Sequence, residues 1–293
     1  MEIVRIGVVG AGAMGSGIAH VAAQSGFQVI LRDVTDAALD KALGRIRALD
    51  ERSVAKGRLT AEAAAAAMGR IQKTTAMERF AEADLVIEAV FEDFQVKQDV
   101  FTQLDRICRP EVIIASNTSS MSITELANRT GRPQQVAGMH FFNPVQVMKL
   151  VEVIRGYHTG DATIATCREI AHRLGKETVE VKKDSPGFIV NRILMPMFAE
   201  AMLLLEEGAA TPEEIDKAVR LGLNHPMGPL TLADFTGLDV DLNVMEYFYR
   251  EFQNPKYAPP QILKRLVRAG RLGNKTGAGF HDHPPTTTPG GKG

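Results

Sequence analysis

The chain has 293 residues and a hydrophobic fraction of 45%, enough for one large or two ordinary domains with a substantial core. Lysine and arginine number 34 against 35 acidic residues, a balance that gives no electrostatic reason to expect a nucleic-acid partner. Cys108 and Cys167 stand far apart in no metal-like spacing, which fits a reducing compartment; no apolar run approaches the roughly 20 residues that span a bilayer.

The N-terminal MEIVRIGVVGAG lacks the pattern of a signal peptide and reads as a first strand. Residues 3–9 are apolar and end in glycines, a helical pattern follows from Met14 to about Gln24, and FQVILRD (27–33) is a second strand. That is one βαβ unit. Segments 36–56 and 61–68, the latter rich in alanine, predict an inserted antiparallel helix pair. Strands resume at 71–75, 84–90 and 112–117, with a helix at 95–107. QVAGMHF (135–141) and MKLVEVI (148–154) follow, then a helix over 161–174 and a strand near 178–182. Such alternation implies a mostly parallel sheet with helices on both faces.

After Asp184 strand patterns cease. Ser185-Pro186 reads as a helix start, with the helix running to about Glu207, and Thr211-Pro212-Glu213-Glu214 repeats the signal. Further helices are expected over 229–252 and 260–269. The reading is therefore an α/β dinucleotide-binding domain over 1–184, an all-α domain over 185–282 and a disordered tail over 283–293. The tail pair His281-x-His283 lacks a third ligand and is read as solvent-exposed, so no metal is expected.

Gly10-Ala11-Gly12-Ala13-Met14-Gly15 is a G-x-G-x-x-G between a predicted strand and a predicted helix, the context its mechanism requires. Gly10 allows the tight turn, Gly12 the approach of a pyrophosphate, and Gly15 close helix packing; Asp33, about 20 residues on, suits a ribose hydroxyl. Its charge favours NAD over NADP, although the neighbouring Arg32 is of the kind that welcomes a 2′-phosphate.

Ligands of open α/β sheets bind beyond the carboxyl ends of the strands. Those ends carry Glu92 and Lys97, the run Ser116-Asn117-Thr118-Ser119-Ser120, and His140 and Asn143. Among these only His140 is suited to general-base work near pH 7. Hydride transfer from an alcohol requires such a base and a donor to the forming carbonyl, for which Ser119 is placed. Glu152, a carboxylate within the apolar MKLVEVI, can orient that imidazole if its strand lies beside the one ending at His140.

Several motifs together, GAGAMGSGIA (10–19), SNTSSMSIT (116–124), GMHFFNPVQVMKLVEV (138–153), DSPGFIVNR (184–192) and HPMGPLTLADFTGLD (225–239), resemble the L-3-hydroxyacyl-CoA dehydrogenases, especially bacterial 3-hydroxybutyryl-CoA dehydrogenases, from about Ile3 to Phe280. The resemblance implies a Rossmann-type first domain, NAD as cofactor, acyl-CoA as substrate, and a homodimer formed through the helical domain, whose stripe Ile193-Leu194-Met197-Met202-Leu205 otherwise needs intramolecular cover. A cytoplasmic location is expected from the cysteine usage, the N-terminal pattern and the short apolar runs, and the resemblance implies catalytic residues His140, Glu152, Ser119 and Asn191. Cofactor contacts fall on Gly10, Gly12, Ala13, Met14, Gly15, Asp33, Glu92, Lys97, Asn117, Ser119 and Asn143, and substrate contacts on Ser119, Asn143, Asn191 and Lys56. Two rivals remain: a dehydrogenase of a non-CoA hydroxy or sugar acid, and a non-catalytic dinucleotide-binding protein. Gly270–Thr276 looks like a phosphate-binding loop, but Asn274 interrupts the required Gly-Lys-Thr and no predicted strand leads into it.

Overall fold

A computed structural model describes residues 2–283. Chain contacts divide it into two compact units, one ending at Phe188 and one starting at Ile189.

In the first unit the strands are β1 (Arg5–Val9), β2 (Gln28–Arg32), β3 (Ile71–Thr74), β4 (Leu85–Glu88), β5 (Ile113–Ser116), β6 (Val136–Phe141), β7 (Leu150–Ile154) and β8 (Glu177–Val181). They form one sheet in the order β3-β2-β1-β4-β5-β6-β7-β8. Every pairing is parallel except β6 with β7, which is antiparallel. The helices are α1 (Ala13–Gln24), α2 (Asp36–Ala55), α3 (Ala61–Gly69), α4 (Phe94–Ile107), α5 (Ile123–Ala127) and α6 (Asp161–Arg173). Side-chain alternation along the strands gives two cores. Ile6 and Val8 of β1 and Leu85 and Ile87 of β4 join Ile18 of α1, Leu39 of α2 and Cys167 of α6. On the other face Val9 and Val86 join Phe101 of α4 and Leu126 of α5. The sheet is thus covered on both sides, which explains its near-continuous apolar strands.

The second unit is helical: α7 (Val190–Glu206), α8 (Pro212–Gly222), α9 (Pro229–Thr236), α10 (Leu238–Phe252) and α11 (Gln261–Arg268). Phe198, Met202, Leu230, Phe248, Tyr257 and Leu263 are central to its core. Thr211 and Glu214 form the capping box that their spacing predicts. Three expectations are corrected. The first helix starts at Val190 rather than at Ser185-Pro186, because Gly187 and Phe188 have φ of 74° and 51°, which no right-handed helix admits. The single helix expected over 229–252 is two, broken at Gly237, whose φ is 102°. His281 and His283 are not solvent-exposed: His281 Nε2 lies 2.9 Å from Asp216 and His283 Nε2 2.8 Å from Asp234. The rest of the expected tail, from Pro284, lies outside the described residues. Among the described residues no helix is long and apolar enough to cross a membrane, and no group of three or more potential ligands could hold a metal.

Candidate active site

The loop between β1 and α1 fits a dinucleotide phosphate. Gly10 has φ of 102°, and a Cβ there would lie 2.5 Å from the Ala89 carbonyl oxygen. At Gly15 it would lie 1.8 Å from the Gly10 carbonyl, so the helix approaches the loop as only glycine permits, whereas at Gly12 it would meet nothing within 4 Å. No side chain caps the first turn of α1, which leaves its N–H groups for an anion at the positive end of the helix. Ala13 and Met14 are its first two residues. Arg45 of α2 holds the loop from behind, with Nη2 donating to the Ala11 carbonyl at 2.6 Å. At the end of β2, Asp33 accepts from the N–H groups of Ala11 at 2.6 Å and Val34 at 2.7 Å. A carboxylate has about four acceptor positions, so some remain for a ribose hydroxyl. Arg32 donates its Nε to the Thr75 carbonyl at 3.2 Å.

The antiparallel register of β6 and β7 sets His140 directly opposite Glu152. Directly opposed side chains share a face of the sheet. Glu152 is fully buried, and its Oε2 lies 2.7 Å from His140 Nδ1. That contact occupies Nδ1, so Nε2 is the ring nitrogen that could exchange a proton. The rings of Phe142 and Phe188 pack on the imidazole, with centroids 4.5 and 5.7 Å away. Asn117 fixes the neighbouring strand end, its Oδ1 accepting from the Phe141 N–H at 2.9 Å. Asn143 is exposed in the turn that follows. That turn is pinned by the buried Lys176, which donates to the Val145 and Met148 carbonyls. Burial lowers the pKa of this lysine.

At the ends of β4 and β5 the polar side chains are already bound to one another. The resemblance puts Lys97 among the cofactor contacts; in the structure its ammonium is buried, 2.7 Å from Glu88 and 3.2 Å from Glu92. A charge so enclosed acts through the carboxylates it holds. Glu92 Oε1 accepts from the Thr118 hydroxyl, from the Ser119 N–H at 3.1 Å and from the Ser119 hydroxyl at 3.4 Å. Burial raises the Glu92 pKa, but the Lys97 charge and the hydrogen bonds of Thr118 and Ser119 outweigh it, so the carboxyl lies below its ordinary value.

Lys56 is exposed at the C-cap of α2. Asn191 belongs to the second unit, in the first turn of α7. Of the stripe in that helix, Ile193 is exposed, whereas Met202 is fully buried in the unit's own core and Leu194, Met197 and Leu205 pack on it. Lys275, in the loop that looks like a phosphate-binding one, is paired with Asp239. Sequence reasoning missed Glu88, Arg45 and Lys176, and marked Ser116 only as part of a polar run at its strand end. For Glu88 the signal was available, since it is a carboxylate inside an apolar strand, as Glu152 is.

Residues 5–185 match the model of the 3-hydroxyacyl-CoA dehydrogenase NAD binding domain, and residues 187–283 match that of the 3-hydroxyacyl-CoA dehydrogenase C-terminal domain. The chain belongs to the 3-hydroxyacyl-CoA dehydrogenase family. Members of the family resemble it over nearly its whole length. The 3-hydroxybutyryl-CoA dehydrogenase of Clostridioides difficile is 46% identical over 279 residues, which are 95% of this chain and 99% of the relative. That of Bradyrhizobium diazoefficiens is 47% identical over 281 residues, 96% of each chain. The crystal structure of (S)-3-hydroxybutyryl-CoA dehydrogenase from Ralstonia eutropha superimposes with a TM-score of 0.93 at 48% identity, covering 97% of this chain and 100% of that one.

Proposed function

We propose that this chain interconverts (S)-3-hydroxyacyl-CoA and 3-ketoacyl-CoA with NAD, acting on short chains such as 3-hydroxybutyryl-CoA. The observation that carries the reading is the buried His140–Glu152 pair at 2.7 Å, in a unit whose glycine loop fits a dinucleotide. NAD, when bound, supplies the acceptor for the hydride leaving C3 of the substrate. In oxidation His140 takes the hydroxyl proton at Nε2, while Glu152 keeps the proton on Nδ1 and stabilises the imidazolium. In reduction His140 returns that proton. Ser119 and Asn191 orient the reacting oxygens, Asn143 borders the site, and Lys56 meets the CoA nucleotide. Asp33 receives the ribose of NAD, and the bond of Arg32 to Thr75 directs its guanidinium to a backbone carbonyl rather than to a 2′-phosphate.

The enzyme works in the cytoplasm, consistent with its two free, buried cysteines. It forms a homodimer through the second unit, which exposes Ile193, Leu221 and Leu223. The test is loss of NADH absorbance with acetoacetyl-CoA and with free acetoacetate. Rapid oxidation with the thioester, and turnover of the free acid lower by about 10²-fold or more, is the expected result. Equal rates with both would establish a dehydrogenase of free acids instead.

A further inference from the structure

We infer that Glu88 is a positioning residue that holds Ser119 in place for the reaction. The inference rests on the dehydrogenase reading and on a closed circuit of bonds at the ends of β4 and β5. Glu88 Oε1 meets Lys97 Nζ at 2.7 Å, and Lys97 Nζ meets Glu92 Oε2 at 3.2 Å. Glu92 Oε1 takes the Thr118 hydroxyl and the Ser119 N–H. The Thr118 N–H donates to Ser116 Oγ at 3.1 Å, and the Ser116 hydroxyl donates to Glu88 Oε2 at 2.6 Å, which closes the ring. Glu88 also accepts the Val90 N–H at 2.7 Å, fixing the turn that leads to Glu92.

The circuit has a buried end and an open end. Glu88 and Ser116 are fully buried and Lys97 nearly so, whereas the Glu92 side chain is 41% exposed and Ser119 is half-buried. A carboxylate with no solvent access is retained at a desolvation cost that an apolar residue would avoid. Here it joins two neighbouring strand ends and one helix, Ser116 being its direct register partner in β5. The buried end is therefore rigid, and the open end inherits that rigidity. In Glu88→Gln the amide oxygen keeps the Lys97 and Val90 donors, but the N–H₂ then faces the Ser116 hydroxyl, which loses its acceptor, and the charge that held Lys97 is gone. Lys97 then shifts wholly to Glu92 and draws it from Thr118 and Ser119.

The test is a double-mutant cycle on kcat/KM for acetoacetyl-CoA at saturating NADH, comparing Glu88→Gln, Ser119→Ala and the double variant. Glu88→Gln is expected to lower kcat/KM by about 10- to 100-fold, since small misplacements of catalytic groups cost that much. In the Ser119→Ala background it should cost less than about 3-fold, because residues acting through one another are not additive. Equal factors in the two backgrounds, or no effect of Glu88→Gln, would overturn the proposal. Should Glu88→Gln fail to fold, Ser116→Ala cuts the same circuit more gently. It should cost about 3- to 10-fold alone and little in the Ser119→Ala background; equal costs in both, or none, would overturn the proposal. If the wild type leaves acetoacetyl-CoA untouched, the dehydrogenase reading fails and this inference with it. If the wild type is active and Ser119→Ala impaired, yet the factors multiply, only the role of Glu88 falls.

Discussion

In the first unit Glu88 and Glu152 lie at the ends or middles of strands and face ionisable nitrogens, Lys97 and His140, on the same face of the sheet as α4. In the second unit the buried Asp216 and Asp234 each take two backbone N–H groups besides the imidazole of His281 or His283. Asp216 accepts from Leu230 at 2.8 Å and Thr231 at 2.9 Å, capping α9, and Asp234 accepts from Phe280 at 2.8 Å and His281 at 2.9 Å. The same chemical group therefore serves two ends. Where it takes two backbone N–H groups it staples segments together; at strand ends, in the proposed mechanism, it sets a titratable side chain for chemistry. Substitutions in the two units should accordingly register in different measurements.

The largest separation is expected at Glu152. Glu152→Gln leaves His140 without its counter-charge and should lower kcat by about 10²-fold in stopped-flow NADH oxidation, the scale of acid–base assistance. Retained turnover would reduce Glu152 to a staple like Asp216. Asp33 lies between the two types, since it accepts backbone N–H groups but stands beside the glycine loop. Asp33→Asn has one carbonyl oxygen for two N–H donors and no charge for the ribose. It should raise KM for NADH about tenfold, the loss of one charge-assisted hydrogen bond, with kcat at saturation nearly unchanged.

The smallest effect belongs to Asp241, whose carboxyl receives the Thr236 hydroxyl at 2.9 Å. Burial pushes its pKa up to about 8; the Thr236 hydrogen bond opposes the shift, and the nearby Asp239 and Asp234 add to it. An acid raised in the folded state stabilises the fold in its protonated form. That contribution is complete below the ordinary value of 3.8 and is lost as pH climbs through about 8. Asp241→Asn stays neutral at every pH. Its Tm should exceed that of the wild type by roughly 2–4 °C at pH 9, the gap narrowing toward pH 4, with kcat little changed. A gap that widens at low pH would reverse the assignment.

Much of this was legible in sequence because it depends on period and spacing. The glycine loop, Asp33 and the alternation of strands and helices are local patterns, and each appears where the pattern places it. Breaks set by single backbone angles were less legible. A glycine inside a helix costs only about 1 kcal/mol, so nothing in 229–252 announces that Gly237 ends one helix and starts another. At Ser185-Pro186 a good start signal is overridden by the positive φ of the next two residues. The role of Glu88 was hidden for another reason: its partners lie nine and twenty-eight residues away, and only the β4–β5 pairing brings Ser116 beside it. Glu152 was readable because its partner, His140, lay across the very next strand connection. His281 and His283 misled because composition marks a tail, whereas Asp216 and Asp234 reach out to hold it.

The most direct measurement is turnover of acetoacetyl-CoA by His140→Gln, with NADH affinity followed in parallel by fluorescence. The account predicts a fall in kcat of at least about 10²-fold with the dissociation constant for NADH unchanged within a factor of about two. Undiminished turnover would contradict it, for the imidazole facing Glu152 would then carry no proton in the reaction.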